Sequence, residues 1–167
     1  MLCFVADPFL AFCNIGRSVV YRVHIWIFKN IQDNSMMGES NLSILIRTLH
    51  PVLNEGEYVF CCVKDLDNID FDHLLFHFKE KEGITIVVGK EYADVSNLEY
   101  HNIFSWISLE VHSSLNAVGL TAAFSNALYE EGISCNVVAA FYHDHIFVAR
   151  KDVENAMDTL QKLSTGR

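Results

Sequence analysis

Hydrophobic positions along the chain change their spacing several times, and each change predicts an element. Leu42, Leu45, Ile46 and Leu49 recur at helical intervals, so Leu42–Leu49 reads as a short helix with one buried face. Ser40 or Asn41 can cap its start, and Pro51 forbids its continuation. The apolar run EYVFCCVK, residues 57–64, then reads as a strand. LLFHFKEKEGITIVVG, residues 74–89, reads as a hairpin turning near Lys81–Gly83, where glycine supplies the turn. KEYADVSNL predicts a short helix leading into a strand over Ile103–Val111. A longer helix is predicted from about Ala117 to Glu131, stopped by Gly132 in a C-cap position. ISCNVVAAFY and HIFVAR read as strands joined at His143 and Asp144. The last helix, Val153–Leu163, carries Val153, Ala156, Met157, Leu160 and Leu163 on one face.

This succession reads as two unequal copies of one unit. The second runs strand–helix–strand–strand–helix, which predicts an α+β sandwich with its helices on one side of an antiparallel sheet. The first lacks the crossing helix, because DLDNIDFDH is too short and polar to replace it. The two copies are expected to share one sheet. Six recognised strands leave sheet edges that need cover, so a homodimer is expected. Residues 1–36 match neither copy and are expected to lie outside the fold, with a degenerate unit over 37–101 and a complete one over 102–167. Synthesis is expected to begin at Met36 or Met37, since SMMGESNLSILIRTL reads like the start of a protein. Arg17 and Arg22 interrupt the early apolar stretch, so it holds no run long enough to span a bilayer.

Composition narrows the function classes. Half of the 167 residues are apolar (51%) and 20% are charged, as expected for a folded domain rather than a disordered chain. The net charge of −9 argues against nucleic acid and anionic membranes as partners, because phosphate binding needs a basic face. The five cysteines show no CxxC spacing, which predicts reduced thiols in a cytoplasmic protein.

Three stretches carry candidate chemistry. In HSSLNAVGLT, residues 112–121, a helix start offers unpaired backbone N–H groups to a small anion such as a carboxylate. Ser113 and Ser114 add hydroxyl donors, and Gly119 permits close approach. The alternative is that Ser114 or Asn116 simply caps the helix. Asn136 is an amide on an otherwise apolar strand and needs a partner, either a ligand or the loop backbone around Ser113. In YHDHIF, His143 and His145 flank Asp144, and with His112 they would give a metal-dependent enzyme three ligands. The plainer account is a polar turn in which Asp144 bonds turn backbone. GxSxG, Walker A and GxGxxG motifs are absent, and Cys135 sits in an apolar strand that disfavours its thiolate, so no enzyme is expected.

The segments AVGLTAAFSNAL and EEGISCNVVAAFYHDHIFV, with EYVFCCV and FKEKEGITIVV more weakly, resemble ACT domains. The resemblance covers about Leu42 to Leu163, and is to small stand-alone bacterial proteins with tandem ACT domains, similar to the ACT modules of eukaryotic arginine sensors. It implies a ferredoxin-like βαββαβ sandwich, a non-catalytic regulatory role without cofactor or metal, and a small amino acid as ligand. The ligand site it implies consists of Ser113, Ser114, Leu115, Val118, Gly119, Leu120, Thr121, Asn136, Val137 and Asp144. Asp144 corresponds to an acidic residue facing the ligand in the arginine-sensing relatives, which suits an ammonium or guanidinium. A module that associates through its sheets without any small ligand is the alternative function, ahead of the metal-dependent enzyme using His112, His143 and His145.

Overall fold

The computed structural model describes residues 38–111, 113 and 117–166. The expectations about residues 1–36 and about the start of synthesis concern a segment outside these.

The described chain begins with helix α1 (Leu42–Arg47), whose start is capped by the Asn41 side chain accepting from the backbone N–H groups of Ser43 and Ile44. Strand β1 (His50–Leu53) and strand β2 (Tyr58–Val63) follow, then one 3-10 turn (Phe71–His73) in place of a crossing helix. Strands β3 (Leu74–Lys79) and β4 (Ile84–Gly89) form the expected hairpin, and a six-residue helix α2 (Lys90–Val95) leads towards β5 (Ile103–Glu110). The second half holds α3 (Leu120–Glu130), β6 (Cys135–Ala139), β7 (Asp144–Ala149) and α4 (Val153–Thr165).

One antiparallel sheet holds all seven strands, in the order β3-β4-β2-β5-β7-β6, with β1 also on β5. β1 lies along the C-terminal half of β5, from His50 opposite Glu110 to Leu53 opposite Ile107. β2 lies along the N-terminal end of the same edge, with Tyr58 opposite Phe104 and Val59 opposite Ile103. Between them Asn54 stays on β5, its N–H donating to the Trp106 carbonyl at 2.9 Å. Gly56 then turns the chain at φ +100°, a conformation that favours glycine.

The two halves therefore interlock. Strands β1-β5-β7-β6 with α3 and α4 make one four-stranded ferredoxin-like set, whose fourth strand comes from the start of the chain. Strands β5-β2-β4-β3 with α2 make the other, whose fourth strand comes from the second half. β1 was not among the predicted strands; its four residues include a proline. Pro51 is tolerated there because β1 pairs on one side only, so its missing N–H breaks no ladder bond.

Strand alternation puts the two sheet faces to different uses. One face packs under the helices. Ile107, Leu109, Ile146 and Val148 meet Leu45, Leu120, Phe124, Leu128, Ala156 and Leu160 in one core cluster. Val59, Cys61, Ile86 and Val88 meet Ala93 in a second cluster. The other face carries no helix among the described residues and is paved with rings: Tyr58, Phe60, Phe76, Phe104, Trp106 and Phe147, with neighbouring centroids 5.2–6.4 Å apart.

Candidate functional site

The connection from β5 to α3 is where sequence reasoning placed the site. Beyond Glu110 the backbone folds on itself: the Val111 N–H reaches the Leu109 carbonyl and the Ser113 N–H reaches the Val111 carbonyl, both at 2.9 Å. Ser113 also bridges to Glu39 ahead of α1. His112, Ser114, Leu115 and Asn116 lie outside the described residues, so the expectations for them end there.

α3 does not start at Ala117 but three residues later, because Gly119 takes the left-handed region at φ +102° and stands as its N-cap. The N-cap position therefore carries no side chain of its own, and Ser114 and Asn116, the caps expected from the sequence, lie outside the described residues. The first bond of the helix runs from the Ala123 N–H to the Gly119 carbonyl at 2.8 Å, which leaves the earlier N–H groups of the first turn aimed outward. A Cβ at Gly119 would sit 2.9 Å from Cδ2 of Leu42, so α1 closes over this turn. Val118 is 84% exposed, Thr121 is exposed, and Leu120 is a core residue beneath them.

Asp144 lies at the same end of the sheet, opposite Leu109 on β5 and Ala139 on β6. It belongs to β7 and not to the turn, which spans residues 140–143 and is closed by the Ala140 N–H on the His143 carbonyl. Its pairing with Leu109 puts it on the helix-covered face, where it is only 8% exposed. Burial pushes its carboxyl above the ordinary carboxylate range, and the nearby His143 only partly opposes this. The carboxylate has no hydrogen bond or ion pair among the described residues. His143 contributes a second incomplete group, since its Nδ1 is buried without a partner.

Asn136 and Val137 stand apart from this corner. Val137 pairs with Ile146 and packs into the core face. Asn136 pairs with Phe147, on the opposite face and about 10 Å further along β7 from Asp144. Its Nδ2 donates to the Phe147 carbonyl at 3.3 Å, neither to the Ser113 loop nor to a free space beside it. Both residues lie on β6, an outer strand whose second edge is unpaired among the described residues. Ser113, Val118, Gly119, Leu120 and Thr121 thus follow the end of β5 along which Asp144 pairs, and Asn136 is on the opposite face.

The metal reading divides in the same way. His143 is in the turn, His145 is on β7 facing away from the helices, and His112 is outside the described residues. Among the described residues, no group of three His, Cys, Asp or Glu side chains is placed to hold an ion. Cys61 is buried, and burial raises its thiol above the usual range. Sequence reasoning missed Leu42 as the wall over Gly119, for which spacing along the chain carries no signal. It also missed two open clefts of about 610 and 680 Å³ flanking Gly56–Glu57, at the opposite end of the sheet.

The interlocked four-stranded sets, with helices on one face, define a pair of ferredoxin-like folds. Two models of the ACT domain family match in tandem, over residues 37–105 and 104–162. The chain belongs to the ACT domain family. Among solved structures it resembles a Vibrio cholerae protein of unknown function, described as a possible transport protein, at 42% identity and a TM-score of 0.67. That match covers 74% of this chain and 95% of the other. The fold is also that of a protein from Agrobacterium tumefaciens (16% identity, TM-score 0.54, 70% and 89% covered). A third likeness is the ligand-free regulatory subunit of aspartate kinase from Thermus thermophilus (8% identity, TM-score 0.52, 71% and 97% covered). No curated protein sequence matches the chain. ACT domains are commonly regulatory modules that bind amino acids. No described helix is long and apolar enough to cross a membrane.

Proposed function

We propose that this chain is a non-catalytic regulatory protein that senses a free amino acid at the corner between β5, α3 and β7. The observation that carries this reading is a pair of unanswered charges at one end of the sheet. The start of α3, whose N-cap is a glycine, offers N–H groups and a positive dipole end to a carboxylate. Asp144 offers a buried, unpaired carboxylate to an ammonium or guanidinium. A zwitterion answers both. Ser113, Ser114, Leu115, Val118, Gly119, Leu120 and Thr121 form the loop side of this site. Asn136, on the other face of the sheet, joins it from β6 of a second copy, and Val137 shares the core cluster of Leu120. The working form is accordingly a homodimer in which unpaired strand edges meet, and ligand favours the assembled state. The complete unit spans 102–167, the degenerate one 37–101, and residues 1–36 stand outside both. The reading needs no cofactor or metal, involves neither nucleic acid nor membrane, and places the protein in the cytoplasm.

The test begins with a thermal-shift screen of the twenty amino acids, followed by calorimetric titration of the best one into Val118→Asp. Val118 is almost fully exposed, so the fold tolerates the change, and an acidic residue near a helix start is itself favourable by about 0.3–1 kcal/mol. The added charge stands where the ligand carboxylate must sit. Affinity should fall at least about tenfold, or 1.4 kcal/mol, with the melting temperature kept. Sedimentation should show ligand shifting the wild-type protein, but not the variant, towards dimer. A wild-type protein that no amino acid stabilises, or an unchanged affinity in the variant, overturns the reading.

A further inference from the structure

The helix-free face of the sheet holds a feature that the amino-acid site does not use. The sheet curls until β3 and β6, the two ends of the strand order, approach across this face. Between them is a cavity of about 130 Å³, lined by Leu75, Phe76, Trp106, Val138, Ala140, His145 and Phe147. Its walls are largely apolar side chains, four of the seven residues being Phe, Trp or His. Only one of them brings a titratable group.

That group is held in one protonation state by its neighbours. Trp106 Nε1–H donates to His145 Nδ1 at 3.1 Å. An indole N–H can only donate, so Nδ1 must present its lone pair. Ser108 Oγ stands 3.1 Å from the same nitrogen. Because Nδ1 carries no proton, the serine can meet it only as a donor, while its oxygen accepts from Asn54 Nδ2 at 2.9 Å. The ring proton of His145 therefore sits on Nε2. Burial favours the same neutral form, holding the imidazole below its ordinary value, with His143 adding to the effect. Nε2 has no hydrogen-bond partner among the described residues, yet it is not one of the buried, partnerless atoms and remains accessible.

An accessible donor in an otherwise apolar chamber selects its ligand chemically. A zwitterion or an ion would lose its hydration with no charge to answer it. The donor also opposes a cation, although the rings alone would attract one. The volume is close to the roughly 150 Å³ of an apolar protein cavity that admits benzene, and well below the roughly 300–1,000 Å³ of sites for larger ligands. We propose that this cavity binds a small neutral molecule built on one aromatic ring with one hydrogen-bond acceptor, a phenol-like compound whose oxygen accepts from His145 Nε2–H. The ring lies among Phe76, Trp106 and Phe147, and the site is independent of the corner at Gly119 and Asp144.

Phenol and benzene are matched probes, differing by the acceptor oxygen. Each is titrated into the full chain while the Trp106 indole and Val138 methyl resonances are followed. Both resonances should shift on saturation with phenol, and phenol should bind about tenfold tighter than benzene, the worth of one net hydrogen bond of roughly 1.4 kcal/mol. His145→Phe should remove the difference between the probes, and Val118→Asp should leave phenol binding as it is. Equal affinities for the two probes in the wild-type protein, or saturable shifts confined to resonances away from the cavity, overturn the proposal, as does no saturable shift up to ~10 mM. Because this readout uses no amino acid, its failure leaves the regulatory reading standing, and the converse holds.

Discussion

Gly119 and Asp144 both differ from what their neighbours in sequence led one to expect. In HSSLNAVGLT the serines and asparagine are strong cap formers, yet the cap position is taken by glycine in the left-handed region at φ +102°. Any side chain there is strained by about 1–2 kcal/mol and also meets Leu42, so Gly119 is a poor place to test ligand binding without harming the fold. Asp144 follows a turn-like YH and looks like a turn residue, but strand pairing carries it into the sheet and under the helices. Its carboxyl is raised above the ordinary 3.8 by burial. A raised carboxyl favours the fold fully below the ordinary value and loses that contribution as pH rises through the folded value. At pH 7 the charged Asp144 is therefore a cost. Asp144→Asn should raise the melting temperature at pH 7, and the gain should shrink as pH falls and vanish below 3.8. Thermal melts of both proteins across that range check this, and the same variant should bind the amino acid more weakly. A variant no more stable than wild type at pH 7 would mean that Asp144 has a partner in the fold.

At the scale of elements, the periodic segments were read correctly and one four-residue strand was missed. α4 was legible because its apolar residues recur over three turns on one face. The β3–β4 hairpin was legible because Gly83 marks its turn. β1 was not, since HPVL is four residues long and its strand state depends on the edge of β5, which arrives far later in the chain. α1 and β1 together complete the second unit: Leu45 is fully buried against the cluster that holds Phe124, Leu128 and Leu160. Leu45→Ala should then cost about 2–5 kcal/mol, the usual range for such a deletion in a packed core. Denaturant unfolding followed by circular dichroism gives the number. A loss under ~1 kcal/mol would place α1 outside the second unit's core.

For the whole molecule, β5 is the shared part. It provides the central strand of the second unit and the fourth strand of the first, so neither set closes without it. Ile86 is fully buried in the first unit's cluster, away from the second. Ile86→Ala should nevertheless lower a single transition for the entire described fold, by about 2–5 kcal/mol, with calorimetric and van't Hoff enthalpies agreeing. Two separated transitions would show that the units fold independently in spite of the shared strand.

Local physics determined much of this protein directly from its sequence. Helical spacing, turn glycines and apolar runs act over a few residues, so they specified the elements, the α+β class and the two-copy plan. The acidic net charge likewise set which partners to exclude without reference to any fold. Tertiary structure alone decided that the first strand completes the second unit, that Gly119 takes the N-cap of α3, and that Asp144 is buried with no hydrogen bond or ion pair among the described residues. It also curled the sheet so that Trp106 and His145 face a cavity. Each of these depends on which residues meet across long stretches of chain, where packing and strand pairing outweigh the weak preferences that any short segment carries.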